Sequence, residues 1–322
     1  MRWMINSGLL LVAFATCSPW AKATETSFSW DKIKYFYAFG DSYTFVQGTL
    51  GYPNYSWIGD ELNLSFTPEQ LLSNEIVPRN TSSDGSNWTE FLTGCMQGKP
   101  SECSPRQLWN FAFAGADIDI NLLPLHHNFS VQLVDQVKQW SDYAADYIPH
   151  PPGETMTAWW IGINDTGDSL GNQTITDFHA FWETEMTSYF QAVQMAYDRG
   201  LNSTHLFINV PPEERSPAQV FDTTNGPILQ QHIVDFNAVL AEHVQQFAAA
   251  NPTATVLTFD AHTWFNNVLD NYQAYGFGNI TGYCQCRDPT YFWLNTGHPT
   301  EYVHVLLAQA ILAGLEQVSV ST

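Results

Sequence analysis

Five short and almost continuously apolar segments are spread along this 322-residue chain, and helical patterns separate most of them. The apolar segments cover residues 33–39, 107–113, 156–161, 205–210 and 255–259. The helical patterns cover residues 131–147, 178–197, 228–247 and 300–318. Strands that are apolar on both faces are typical of a parallel sheet covered by helices on each side. We therefore predict an α/β fold, a three-layer α/β/α sandwich around a five-stranded, mainly parallel, doubly wound sheet.

The stretch from residue 47 to residue 105 interrupts this alternation. It is rich in Asn, Ser, Thr, Gly and Pro and contains one short helical pattern, at 88–92. We interpret it as an elaborated insertion after the first strand that shapes a binding cleft. Since no linker or repeat divides the remainder, we predict that residues 24–322 form a single domain.

Residues 1–23 have the pattern of a secretory signal peptide. Arg2 precedes an apolar run at 8–15, and Ala21-Lys22-Ala23 provides a small-residue cleavage site. The run is too short to cross a bilayer, and the alternative is a buried N-terminal helix. We predict a secreted, extracellular protein that begins near Thr24.

The mature chain is predicted to be strongly acidic. Removing two of the 11 basic residues with the signal peptide leaves 9 against 32 acidic residues, a net charge near −23. Such a surface repels nucleic acid and anionic membranes, so we expect neither as a partner. Because aromatic residues make up 15% and charged residues only 13% of the chain, the composition favours a small-molecule or oligosaccharide ligand. We assume a monomer.

Four cysteines remain after the signal peptide, and an extracellular protein can pair them. Proximity in the sequence favours the disulfides Cys95–Cys103 and Cys284–Cys286, although sequence alone does not establish connectivity. A zinc site is the alternative, but no histidine or second cysteine pair stands at ligand spacing. We predict no metal.

The chain contains nine N-x-[ST] sequons, more than chance would place, which is typical of a heavily glycosylated secreted protein. We predict glycans at eight of them: Asn54, Asn63, Asn80, Asn87, Asn128, Asn172, Asn202 and Asn279. The ninth, Asn164, is excluded for a reason given below.

Four short blocks follow predicted strands or open the last helix. Gly40-Asp41-Ser42 ends the first strand, and Gly162-Ile163-Asn164-Asp165 ends the third. The second strand leads into residues 110–116, and His298-Pro299-Thr300 opens the last helix. In this order the blocks resemble the GDSL or SGNH hydrolase superfamily. The ending F-W-x-N-x-x-H-P-T is most similar to fungal secreted acetylesterases of carbohydrate esterase family sixteen.

The resemblance implies a Ser–His esterase without a cofactor. Ser42 would be the nucleophile and His298 the general base. The backbone N–H groups of Ser42 and Gly115 and the side-chain amide of Asn164 would form the oxyanion hole. A glycan on Asn164 would block that hole, so we predict that this sequon stays bare.

One position departs from the family pattern, which usually has Asp three residues before the histidine. Asn295 stands there. Its amide oxygen or its backbone carbonyl can orient the imidazole but lacks a full charge, so the pKa of His298 should be lower than in a charged triad. Asp288 is an alternative orienting group.

Several other functions compete with this interpretation. Gly167-Asp168-Ser169-Leu170-Gly171 matches both the GDSL string and the G-x-S-x-G elbow of α/β-hydrolases, but no helix follows directly as that elbow requires. A lipase, a phospholipase or a general carboxylesterase would use the same constellation, and an inactive carbohydrate-binding protein would explain Asn295. Following the resemblance, we predict an acetylesterase that acts on plant cell-wall oligosaccharides. The insertion at 47–105 is too polar for an apolar lipase lid, which favours small soluble substrates.

Overall fold

A central sheet of six strands organises the fold. The computed structural model describes residues 20–22, 28–59 and 64–319. The strands of the sheet are β1 (Trp20–Lys22), β2 (Tyr35–Gly40), β3 (Gln107–Asn110), β4 (Thr155–Trp160), β5 (Thr204–Ile208) and β6 (Thr255–Phe259). They lie in the order β1-β6-β5-β4-β2-β3; β2 to β6 are parallel, and β1 pairs antiparallel with β6. The predicted α/β fold with a five-stranded parallel sheet is confirmed.

Helices cover both faces of this sheet. They are α1 (Pro68–Ser73), α2 (Trp88–Thr93), α3 (Leu133–Tyr143), α4 (Ile163–Asp168), α5 (Phe178–Asp198), α6 (Asn225–Ala250), α7 (Ala261–Asp270) and α8 (Glu301–Val318). A second sheet pairs β7 (Asn279–Tyr283) with β8 (Tyr291–Trp293). None of the helices in the described part of the chain has both the length and the apolar character needed to cross a bilayer.

Two neighbouring residues of β2 show how the layers are arranged. Phe36 packs edge-on against Trp88 of α2, and Tyr37 packs edge-on against Trp140 of α3. Successive side chains of a strand point to opposite faces, so α2 and α3 lie on opposite sides of the sheet. α8 packs with α2, and α5 and α6 continue the layer that begins with α3.

The strand order reverses beside β2, whose neighbours are β3 on one side and β4 on the other. In doubly wound sheets ligands bind beyond the carboxyl ends of the strands at such a reversal. Ser42 follows β2 and Asn164 follows β4, so the fold brings these two side chains to the same edge.

The insertion at 47–105 holds α1, α2 and the Cys95–Cys103 disulfide. A second disulfide joins Cys284 to Cys286 between β7 and β8. Both pairings are those that sequence proximity favoured. The assignment of 24–322 to one domain stays a prediction.

The predicted signal peptide lies mostly outside the described residues. Its described part, Trp20–Lys22, is the antiparallel edge strand β1. Removal of this strand by cleavage would leave the five parallel strands and their pairings in place.

The structure corrects one predicted glycosylation site, Asn87. Its side chain is 1% exposed, and its Nδ2 donates to the carbonyl oxygens of Thr44 and Phe45 at 2.8 Å each. Its Oδ1 accepts the Thr89 N–H at the start of α2. A glycan needs an accessible Nδ2, so folding makes this sequon unavailable.

The other predicted glycosylation sites differ in accessibility. Asn54, Asn128 and Asn202 are exposed, and Asn80, Asn172 and Asn279 are partly exposed. Asn63 lies outside the described residues. Glycan occupancy at these sites stays a prediction.

Buried carboxyl groups make stability depend on pH. Burial, together with the neighbouring Asp165 carboxyl group, raises the pKa of Glu185 to about 10 and that of Asp117 to about 9. Burial also raises the pKa of Asp41 and Glu90 to about 8 each. Because these pKa values lie above their unfolded values, these acids bind more protons in the folded state, so their contribution to stability falls as pH rises.

We expect the melting temperature to fall by about 5 °C or more between pH 7 and pH 9, where the buried histidines are neutral in both states and only the acids change. Differential scanning calorimetry over that range measures the change. Glu185→Gln is the matched control: its amide does not titrate, so the slope should become shallower. A melting temperature that is flat or rises with pH would contradict the assignment of neutral buried acids.

Candidate active site

The turn that carries Ser42 depends on the glycine two residues before it. Gly40 ends β2, and a Cβ there would lie 2.1 Å from the carbonyl oxygen of Trp160 on β4. The side-chain amide of Gln136 in α3 accepts the Gly40 N–H at 3.0 Å and donates to the Gly40 carbonyl oxygen at 2.8 Å. Only glycine lets the two strands run this close up to the serine.

Asp41 shapes the turn from inside. Its carbonyl oxygen accepts the N–H groups of Thr44 and Phe45, and its Oδ1 accepts the Tyr43 N–H at 2.9 Å. The side chain is fully buried, which raises its pKa to about 8. Asp41 is therefore a neutral structural group at neutral pH.

Ser42, His298 and Asn295 form a hydrogen-bonded row. The Oγ of Ser42 lies 2.8 Å from Nε2 of His298, and Nδ1 of the same ring lies 3.1 Å from Oδ1 of Asn295. Because the amide oxygen can only accept, Nδ1 carries the proton and Nε2 is free to accept one from the serine. This is the tautomer that a general base requires.

Asn295 also shapes the turn before α8. Its Oδ1 accepts the N–H groups of Gly297 and His298 at 3.0 and 2.8 Å, which fixes the orientation of the amide. Asp288, the alternative orienting group, instead accepts the N–H and hydroxyl of Thr290. Burial, assisted by the charge of His126, lowers the pKa of His298 to about 4.

The Asn295→Asp variant should shift the acidic limb of activity toward neutral pH. A carboxylate can accept the same three hydrogens while adding a charge that stabilises the imidazolium, so the pKa of His298 should rise. We expect kcat at pH 7 to increase roughly tenfold. Rates measured from pH 3.5 to 8 test both effects. An acidic limb at the same pH in Asn295→Asp as in the unchanged protein would contradict the role of Asn295. Asn295→Ala is the control and should lower the rate at every pH.

The predicted oxyanion donors surround Ser42. In the described part of the chain the N–H groups of Ser42 and Gly115 have no acceptor. Asn164 lies in the first turn of α4, and its Nδ2 donates to the carbonyl oxygen of Ala116 at 2.9 Å. That bond uses one of two amide hydrogens and aims the other away from Ala116. The structure thus brings all three predicted donors to one cleft.

Gly115 has a strict requirement for glycine. Its φ of +78° is left-handed, and a Cβ would lie 2.8 Å from Cδ2 of His127 and 3.2 Å from Cδ2 of His126. Any side chain here would displace the loop that presents the N–H.

The cleft has a volume of about 530 Å³, and most of the residues that line it carry polar side chains. Sequence reasoning missed three of its features. Tyr43 and Glu213 lie beside the His298 turn, and His126 also lines the cleft. Nδ1 of His126 is 2.7 Å from Oδ2 of Asp168. The position of Glu213 shortly after β5 was a usable signal, because ligands gather beyond strand ends.

Ser169, the competing nucleophile, is fully buried. It caps the end of α4, where its Oγ donates to the carbonyl oxygen of Thr166 at 3.2 Å. The serine is not among the residues that line the cleft. The geometry there is that of a helix end and not of a nucleophile elbow.

A serine hydroxyl facing an oriented imidazole, with free backbone N–H groups beside it, is the arrangement of serine hydrolases. The family model described as GDSL-like Lipase/Acylhydrolase matches residues 36–311. The chain belongs to this family, and it is a carboxylic ester hydrolase.

Individual proteins resemble the chain at different levels. An acetylesterase from Thermothelomyces thermophilus is 29% identical over 320 residues, which cover 96% of each chain. A putative GDSL-like lipase from Parabacteroides merdae has a TM-score of 0.48 at 11% identity, covering 92% of this chain and 100% of that one. A variant of an acetyl-xylooligosaccharide esterase from Geobacillus has a TM-score of 0.47 at 13% identity, covering 89% and 95%.

Proposed function

We propose that this protein is a secreted acetylesterase that deacetylates plant cell-wall oligosaccharides through a Ser–His acyl-enzyme mechanism. The observation that carries the mechanism is the 2.8 Å contact between Ser42 Oγ and His298 Nε2, two residues that line the same cleft. The likeness to an acetylesterase along almost the whole chain supports the acyl group.

In the acylation half, Ser42 Oγ attacks the ester carbonyl carbon while His298 Nε2 takes the serine proton. The carbonyl oxygen becomes an oxyanion that the N–H groups of Ser42 and Gly115 and the amide of Asn164 stabilise. His298 then gives its proton to the leaving sugar oxygen, and the C–O bond to the sugar breaks. The acetyl group remains on Ser42.

In the deacylation half, His298 Nε2 takes a proton from water as the water oxygen attacks the acetyl-serine carbon. The same donors stabilise the second oxyanion. The bond to Ser42 Oγ breaks, the serine recovers its proton from His298, and acetate leaves. Asn295 keeps Nδ1 protonated in both halves.

The cleft lining favours a small acyl group and a neutral substrate. Its aliphatic side chains in the described part of the chain are Ala114 and Ile163, and it contains no Lys or Arg. A long acyl chain needs more apolar surface to leave water, and a phosphate headgroup needs cationic partners. Tyr55 and His127, whose rings lie 5.4 Å apart, form a wall suited to a sugar.

Acetate release from an acetylated xylo-oligosaccharide, compared with release from long-chain 4-nitrophenyl esters, tests this function. We expect kcat/KM at least about 100-fold higher for the acetylated sugar. Preference for the long chain would indicate a lipase. Sugar binding without acetate release would indicate an inactive carbohydrate-binding protein, and either result would overturn the proposal.

Secretion is part of the proposal and rests on Arg2, the apolar run at 8–15 and the Ala21-Lys22-Ala23 site. N-terminal sequencing of protein recovered from the culture medium of a fungal host should begin near Thr24. Retention in the cells with an intact N-terminus would contradict secretion.

A further inference from the structure

The hydroxyl of Tyr43 lies between two oxygen atoms. It is 2.7 Å from Oε1 of Glu213 and 2.6 Å from the carbonyl oxygen of Gly297. Tyr43 is 1% exposed and Glu213 is 8% exposed. Most of the surface of these two residues is therefore removed from water.

Hydrogen counting determines the protonation of this row of three oxygens. A phenol carries one hydrogen, and a backbone carbonyl can only accept. Tyr43 must therefore donate to Gly297, and the short contact with Glu213 then needs a hydrogen from the carboxyl group. A neutral Glu213 that donates to the tyrosine oxygen satisfies both contacts.

This row of hydrogen bonds ends at Gly297, on the turn that carries the general base His298. Gly297 lies between Asn295 and His298, and the ring of Tyr43 lies 5.7 Å from the ring of His298. Tyr43 directly follows Ser42 in the sequence. One side chain thus joins the nucleophile turn to the histidine turn.

We propose that Glu213 is a positioning residue that acts as a neutral carboxylic acid: it donates to Tyr43, which donates to Gly297 and holds His298 against Ser42. This role rests on the proposed esterase function of that pair. Ionised Glu213 would draw the tyrosine hydrogen to itself. Two oxygens, of Tyr43 and Gly297, would then face each other at 2.6 Å with no hydrogen between them, which would push the turn away.

The surroundings favour the neutral acid. Burial raises the pKa of Glu213 to about 8, opposed by the Tyr43 bond and assisted by Asp41 and Glu214. Arg215, the nearest cation in the sequence, is engaged elsewhere, with Asp270 at 2.8 Å and with Asn266 at 2.7 Å. His298 has a lowered pKa, so it brings no positive charge near pH 8.

The test is the alkaline limb of kcat, measured as acetate release from a simple acetyl ester between pH 6 and pH 9.5. Each variant is normalised to its own rate at pH 6. The rate of the unchanged protein should fall about tenfold between pH 6 and pH 9, following the neutral fraction of Glu213, with KM little changed. In Glu213→Gln the amide donates to Tyr43 without titrating, so this fall should disappear.

Asp41→Asn is the matched control, because Asp41 is a second buried acid beside Ser42 with a pKa of about 8. We expect Asp41→Asn to show the same fall in kcat between pH 6 and pH 9 as the unchanged protein. The proposal would be overturned if kcat still fell in Glu213→Gln, or if the fall in kcat disappeared in Asp41→Asn alone.

Tyr43→Phe gives an independent readout should Glu213→Gln not fold. We expect a lower kcat at pH 6 with unchanged KM and no further fall near pH 8, and a profile like that of the unchanged protein would overturn the proposal. Labelling of Ser42 by a phosphonate at pH 6 separates this question from the function. An unchanged protein that is neither labelled nor active would refute the esterase mechanism itself.

Discussion

Replacing Ser42 by alanine is expected to lower kcat by about 10⁶-fold while leaving the fold intact. The hydroxyl is the group that forms the acyl-enzyme, and the 2.8 Å bond to His298 gives its proton a direct acceptor. Alanine fits the same space and the same backbone. Acetate release and the melting temperature measure the two parts of this expectation.

Ser169→Ala is the matched control for this experiment. That serine stands in the literal GDSL string but is buried at the end of α4, so activity should persist. A serine-directed phosphonate should label Ser42 in the unchanged protein and label nothing in Ser42→Ala. Activity that survives in Ser42→Ala and disappears in Ser169→Ala would reverse the assignment.

Replacing Asn164 by alanine should lower kcat by about 10²–10³-fold with little change in KM. The amide hydrogen acts on the oxyanion, which exists in the transition state and not in the bound ester, so the loss falls on kcat. Asn164→Asp should lose more, because a carboxylate there repels the oxyanion. Steady-state kinetics on a short acetyl ester separates kcat from KM.

Asn172→Ala is the control for Asn164, since it removes a nearby partly exposed asparagine of another sequon. It should keep the kcat of the unchanged protein. Mass spectrometry of the protein expressed in a fungal host should find Asn164 without a glycan. Full kcat in Asn164→Ala, or a glycan at Asn164 of active enzyme, would remove this residue from the oxyanion hole.

Much of the fold was predictable because the long elements have strong local patterns. The apolar runs at 156–161 and 255–259 correspond to β4 and β6 with shifts of at most one residue. α4 was missed because its six residues, which include Gly167, have weak helix propensity, and folding places it directly after β4. β7 is partly exposed and β8 has only three residues, so neither shows a clear apolar period.

Asn87 shows where local reasoning fails at a functional motif. Its sequon is complete, yet its Nδ2 is engaged by carbonyl oxygens more than forty residues away in the sequence. Burial of a polar group depends on partners that a three-residue motif does not contain.

The sequence by itself determined the alternation of strands and helices, the order of the Ser42, Gly115, Asn164 and His298 blocks, and the amide at Asn295. Each of these can be read from nearest neighbours and from the periods of strands and helices. Only the tertiary structure decided that Ser42 and not Ser169 lies in the cleft, in contact with His298, and that Glu213 reaches the His298 turn through Tyr43. These relations join residues up to 256 positions apart, and packing around the reversal of the strand order sets their distances.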